Sequence, residues 1–180
     1  MTGPNPPSAA PDPIRLERWT VTSGSNVNSR AAVVLRAGSH DWQASAEGNG
    51  AVDALLRAVD AALADVLDGR PVLIAYDVHA LAEGPDAEGR VTVRIAPPAG
   101  AEGPRSGGRY QGEVASTNIV AASVEAYVDA LNAMLADPPW SGAAEAAGSR
   151  RGAGAEPGGV ATAEFDDDAR PIDTTEWFNR

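Results

Sequence analysis

Two short polar turns hold the residues best suited to recognising a small ligand. Gly48-Asn49-Gly50 precedes a segment with the apolar spacing of a helix, and Asp53 lies within that segment's first turn. Two glycines and an asparagine permit positive φ and a close approach of the backbone. The free N–H groups at a helix start, with the positive end of its dipole, suit an anion such as a carboxylate. Ser116-Thr117-Asn118 stands in the same relation to a second helical segment, where its hydroxyls and amide could cap the helix or touch a ligand. Plain capping and turn formation are the alternative use of both triplets.

Residues for covalent or metal chemistry are sparse. The absence of Cys excludes disulfides, thiolate metal sites and Cys nucleophiles. The two histidines, His40 and His79, fall in different halves of the chain. His40 sits in an expected hairpin turn, and His79 at a strand end, where a structural role is commoner than ligation or base catalysis. The chain has no nucleophile elbow, P-loop or dinucleotide fingerprint. The run Asp166–Asp168 reads as a solvated charge cluster. No catalytic residue, metal ligand or cofactor is expected.

The elements that must carry the two turns show in the pattern of apolar residues. One helix is expected from Ala51 to Leu67, with Val52, Leu55, Leu56, Val59, Leu63, Val66 and Leu67 on one face. Gly69 and Pro71 stop it. A second is expected from Ile119 to Ala136, with Val120, Val124, Tyr127, Val128, Leu131, Met134 and Leu135 inward. Three strand-like runs precede each: RLERWTVTS, AAVVLRA and DWQASAE, then VLIAYDVHAL, RVTVRIA and RYQGEVA. Alternation marks Val72, Ile74, Tyr76 and Val78, and again Val91, Val93 and Ile95. Gly38-Ser39 and the EGPDAEG segment provide hairpin turns.

The order is βββα twice, and the halves match at a constant spacing of 68, as in Val52/Val120, Ala58/Ala126 and Leu63/Leu131. The fold class is therefore α+β: two βββα units related by an internal pseudo-twofold, their helices packed on antiparallel sheets. A single helix covers only part of a sheet, and the spare apolar surface favours a homodimer. The expected boundaries are a disordered N-terminal tail at 1–13, the folded unit at 14–137, and a flexible acidic tail at 138–180 that carries Phe165, Trp177 and Phe178.

Composition narrows the function classes. A net charge of −11 argues against nucleic acid, which needs a basic surface. No apolar run approaches the roughly 20 residues of a membrane span, and the N-terminus lacks the basic start and apolar stretch of a signal peptide. A cytoplasmic location is the expectation. At 180 residues, the chain is too short for a (β/α)8 barrel, which typically takes about 250.

Three segments carry a family resemblance. AEGNGAVDALLRAVDAAL resembles a stretch in which a Gly-Asn-Gly-Pro turn leads into a helix, YDVHALAEGPDAEGRVTVRI the following strand pair, and STNIVAASVEAYVDALN the second turn and helix. In this order, in register with the repeat, they are similar to the C-terminal regulatory domain of alpha-isopropylmalate synthase, shared with the citramalate synthases. The resemblance covers residues 15–136. It implies an allosteric, dimerising, non-catalytic module of leucine biosynthesis, with an end-product amino acid bound beside the two turns at the dimer interface. The ligand-binding candidates are then Gly48, Asn49, Gly50, Asp53, Ser116, Thr117 and Asn118. Leucine or a related branched-chain acid is the implied effector, and a separate synthase catalytic subunit a further partner. The chain departs from the family at Ala51, usually Pro, at Asn118, often Asp, and at Ala121, often Glu. The last two remove carboxylates that could pair with an ammonium group. The alternatives are a non-catalytic subunit of a split synthase and a diverged structural dimer without ligand.

Overall fold

A computed structural model describes residues 12–84, 86–98, 108–140, 142–144 and 146–148. Strands β1 (Arg15–Thr22), β2 (Ser29–Ala37) and β3 (His40–Gly48) form one antiparallel sheet in the order β1-β2-β3. Helices α1 (Ala51–Ala62) and α2 (Ala64–Leu67) follow. Strands β4 (Val72–Ala80), β5 (Gly89–Ala96) and β6 (Tyr110–Ser116) make a second sheet in the same order, followed by α3 (Ile119–Leu135). The βββα repeat is thus the architecture of the chain.

Cross-strand registers show how closely the halves correspond. In the first sheet Leu35 lies between Leu16 and Trp42, Val33 between Trp19 and Ala44, and Ala31 between Val21 and Ala46. The matching rungs of the second are Leu73–Ile95–Tyr110, Tyr76–Val93–Gly112 and Val78–Val91–Val114. The spacing of 68 therefore holds from the third strand onward, while the first two strands of each unit match at shorter spacings. Both first strands carry a bulge, between Leu16 and Arg18 and between Leu73 and Ala75. The second one breaks the alternation read through Ile74, and it is Leu73, Tyr76 and Val78 that share the rungs of the buried residues of β5.

The helices lie on these rungs. α1 packs on β3 and β2, α3 on β6 and β5, and the two helices on each other. The core combines Val33, Leu35, Trp42, Leu55, Val59 and Leu63 with Val91, Val93, Ile95, Tyr127, Leu131 and Met134. One helix was expected over 51–67. Instead α1 ends at Ala62, Leu63 caps it, and α2 closes at Asp68 in the left-handed conformation. The N-terminus of β1 is tied to the second unit: Ile14 N–H donates to Asn132 Oδ1 and Asn132 Nδ2 donates to Ile14 O, each at 2.8 Å.

Packing continues past the expected boundary at residue 137. Pro138–Trp140 forms a 3-10 turn, and Trp140 and Ala147 are buried in the core cluster. Gly148 lies so close to the His40 ring that a side chain there would collide with it. His40 is accordingly half-buried, against Trp42 at a ring-centroid distance of 6.0 Å. A large apolar ring directly after a helix-stopping Pro pair gains more by packing than by staying in water. Trp140→Ala is expected to cost about 3–5 kcal/mol, read as a lower urea midpoint of the full chain. The tail expected beyond this point, with Asp166–Asp168, Trp177 and Phe178, lies outside the described residues, as do residues 1–11.

Candidate functional site

The two turns occupy equivalent places. Gly48 ends β3 opposite Ser29, and Ser116 ends β6 opposite Gly89. Each then leads within two residues into a helix, but they are built differently.

At the first turn the geometry corrects one expectation. Neither Gly48 nor Gly50 has positive φ; Gly50 caps α1 in an extended conformation (φ −159°, ψ 172°), and a Cβ there would meet open space. Gly48 is the residue that must lack a side chain, because its Cβ would clash with the Ala54 backbone nitrogen and lie 2.7 Å from Asp53 Oδ2. The turn thus uses glycine for close approach between strand end and helix. Asn49 N–H, expected to be free for a ligand, donates to Asp53 Oδ2 at 2.9 Å. Asp53 Oδ1 accepts from Arg57 Nε at 2.9 Å. Arg57 and, after it, the Asn49 amide hold the Asp53 carboxyl below the usual carboxylate range. Asp53 is therefore an ionised brace for the turn. No side chain caps α1.

At the second turn Asn118 caps α3 by accepting from Ala121 N at 3.1 Å, and its own N–H donates to Ser116 Oγ at 3.0 Å. Of the uses open to this triplet, Asn118 thus makes the cap and Ser116 a turn bond. Thr117 is exposed.

Sequence reasoning missed the wall beside this second turn. Ile119, at the start of α3, lies over Gly89, and Val78 Cγ1 is 3.8 Å from the position a Cβ on Gly89 would take. Ser123, one turn into α3, donates its single hydroxyl proton to Ile119 O at 2.5 Å. Tyr76 must then be the donor in its 2.7 Å bond to Ser123 Oγ. Val78 and Tyr76 of β4 are thereby placed beside the start of α3. Yet Leu73 (47%), Tyr76 (37%) and Val78 (43%) remain exposed. Their counterparts Leu16, Trp19 and Val21 on β1 are packed against the core. The difference follows from the helices: α1 and α3 both reach β1, whereas α3 lies over β6 and β5. Val72, Ile74 and Leu81 add to the open apolar strip. The signal available in sequence was VLIAY, consecutive apolar residues in a strand that begins a sheet.

The rest of the surface offers little chemistry. His79 is exposed on β4 opposite Arg90, and among the described residues no cluster of three or more His, Asp or Glu could hold a metal ion. No helix among them is long and apolar enough to cross a membrane.

A family model described as the LeuA allosteric (dimerisation) domain matches residues 6–135. The chain belongs to that family. Relatives include 2-isopropylmalate synthases of Nitrosococcus oceani, 37% identical over 122 residues, and of Microcystis aeruginosa, 38% identical over 124. That of Parabacteroides distasonis is 35% identical over 124 residues. These matches take in 68%, 68% and 69% of this chain but only 22%, 21% and 23% of those synthases. The chain thus spans about a fifth of the length of these relatives, in their regulatory part. Only the LeuA allosteric (dimerisation) domain of the synthases is matched, with no catalytic domain evident.

Proposed function

We propose that this chain is a homodimeric regulatory module that binds leucine or a related branched-chain acid and acts on 2-isopropylmalate synthesis rather than catalysing it. The single observation that carries the reading is the junction of a helix start with an apolar wall. A branched-chain acid needs N–H donors for its carboxylate and an apolar surface for its side chain. The first turns of α1 and α3 offer the donors, and Val78 and Ile119 the apolar surface. Gly48, Asn49, Gly50 and Asp53 shape one turn; Ser116, Thr117 and Asn118 shape the other. The strip on β4, bare in one protomer, is the face for the second copy.

The ammonium group of an amino acid has the poorest provision. Asn118 offers an amide already used in capping, and Ala121 offers nothing, so a 2-oxo acid is a competing effector on this specific ground. Isothermal titration of the full chain with leucine, isoleucine, valine and their 2-oxo acids decides the matter. Saturable heat with one of them is the expected result, and its rank order names the effector. A stable dimer silent toward all six would replace this reading with that of a structural dimer. The cytoplasm, where such synthesis would take place, and a separate synthase subunit as partner belong to the same proposal.

A further inference from the structure

The contact between the two repeats contains one ionisable cluster that neither turn uses. Asp60 of α1 is a buried carboxylate, its side chain 8% exposed. Tyr127 of α3, itself buried, donates to Asp60 Oδ1 at 2.5 Å. Arg70, in the link between α2 and β4, donates from Nε to Asp60 Oδ2 at 3.2 Å. Its own side chain is 64% exposed, so the carboxylate's counter-ion stands largely in water.

The repeat itself shows that this crossing does not require a charge. At the spacing of 68, the counterpart of Asp60 is Val128 and that of Tyr127 is Val59, both buried. A valine pair thus fills the matching positions, and an apolar pair at such a crossing is commonly as stable as a buried polar one, or more so. We propose that Asp60, Tyr127 and Arg70 form a proton-sensitive fastener between the repeats, tight while the carboxyl is neutral or held by Arg70 and slack when it is ionised and Arg70 is drawn away. Arg70 lies two residues before β4, so a load on the bare strand acts on the same link that carries the counter-ion.

The electrostatics agree with the geometry. Burial raises the Asp60 carboxyl above its ordinary value; the hydrogen bonds from Tyr127 and Arg70 and the charges of Arg70 and Arg57 oppose the rise without cancelling it. Burial also pushes the Tyr127 hydroxyl up, which keeps it a donor. Unfolded, Asp60 gives up its proton near 3.8; folded, it keeps it to higher pH. The folded chain therefore binds more protons between the two values. This contribution to stability is complete below the unfolded pKa and is lost as pH rises through the folded one. Asp41, Glu47 and Asp53 are shifted the opposite way and Asp129 of α3, raised by burial, the same way, so it is the difference between variant and wild type that isolates Asp60.

Carbon-detected NMR titration of the full chain, paired with urea midpoints across pH, tests the fastener. The Asp60 carboxyl is expected to titrate above the ordinary carboxylate value, with Tyr127 ring signals and α3 amides moving at the same midpoint. Asp60→Asn keeps an oxygen for Tyr127 and removes the charge, so the wild-type midpoint should fall relative to that of the variant as pH rises over that window. Arg70→Gln should move the Asp60 titration higher still. A carboxyl titrating at or below its ordinary value overturns the proposal, as do Tyr127 and α3 signals that ignore the titration. The wild-type titration decides even where the Asp60 variant folds poorly.

Discussion

Gly48→Ala is expected to cost about 1–3 kcal/mol and to abolish effector binding, whereas Gly50→Ala leaves stability within about 0.5 kcal/mol. One methyl group separates variant from wild type in each case, and the surroundings decide the outcome. At Gly48 the methyl would clash with the Ala54 backbone nitrogen and press on the Asp53 carboxylate. Backbone inside the first turn of a helix cannot rotate aside as a long side chain can. The strand end and helix must separate, and the Asp53 brace on Asn49 N–H is lost with them. At Gly50 the methyl meets open space, in an extended conformation that any residue adopts. Alanine is a poorer N-cap than glycine by a few tenths of a kcal/mol, and the loss of unfolded-chain freedom offsets that. Urea unfolding and calorimetry on both variants check the pair. Equal midpoints for the two would mean that the turn is looser than its packing implies.

The same turn shows what the sequence could and could not disclose. That glycine was needed ahead of α1 was legible; which glycine, and why, was not. Composition suggests positive φ, while the actual demand is steric and comes from Ala54, six residues on. The helices were legible because Leu55, Val59, Leu63, Val124, Leu131 and Met134 recur at helical spacing and are all buried. Ala54, Ala58 and Ala62 are equally buried, yet a reading weighted to large side chains passes over them. Their size lets α1 settle close to β2 and β3.

Long-range pairs were beyond reach for a different reason. Asp60 reads as solvent-facing in an amphipathic pattern, and its partner Tyr127 stands 67 residues away in sequence. The bulge beside Ile74 puts Leu73, in place of Val72 and Ile74, on the face of Tyr76 and Val78, and alternation alone gives no warning of it. Pro138-Pro139 ends the helix but not the packing, and Trp140 directly after it is buried. Family membership, by contrast, was legible in three ordered segments, because the turns recur in register with the repeat.

Val78→Asp is expected to convert the homodimer into a folded monomer. Val78 is 43% exposed in the single protomer, so a carboxylate there stays hydrated and costs the monomer about 0.5 kcal/mol or less. In the dimer proposed here the same carboxylate is taken from water against the apolar strip of the partner, and twofold symmetry brings two of them into one interface. Burying an uncompensated charge costs about 3 kcal/mol or more, which is at least two powers of ten in the dimer dissociation constant. β4 is also an edge strand of nine residues with apolar side chains and one free edge, the kind of surface that a soluble chain leaves open only for a partner. Val78→Ala, which removes area without adding charge, should weaken association far less. Sedimentation equilibrium of both variants and the wild type, with circular dichroism to confirm the fold, reads the result. A Val78→Asp chain that remains dimeric at wild-type concentrations would place the interface elsewhere. The variant also separates association from effector binding: an apolar wall supplied within one protomer lets the monomer keep measurable affinity, whereas a wall completed by the partner makes affinity disappear with the dimer.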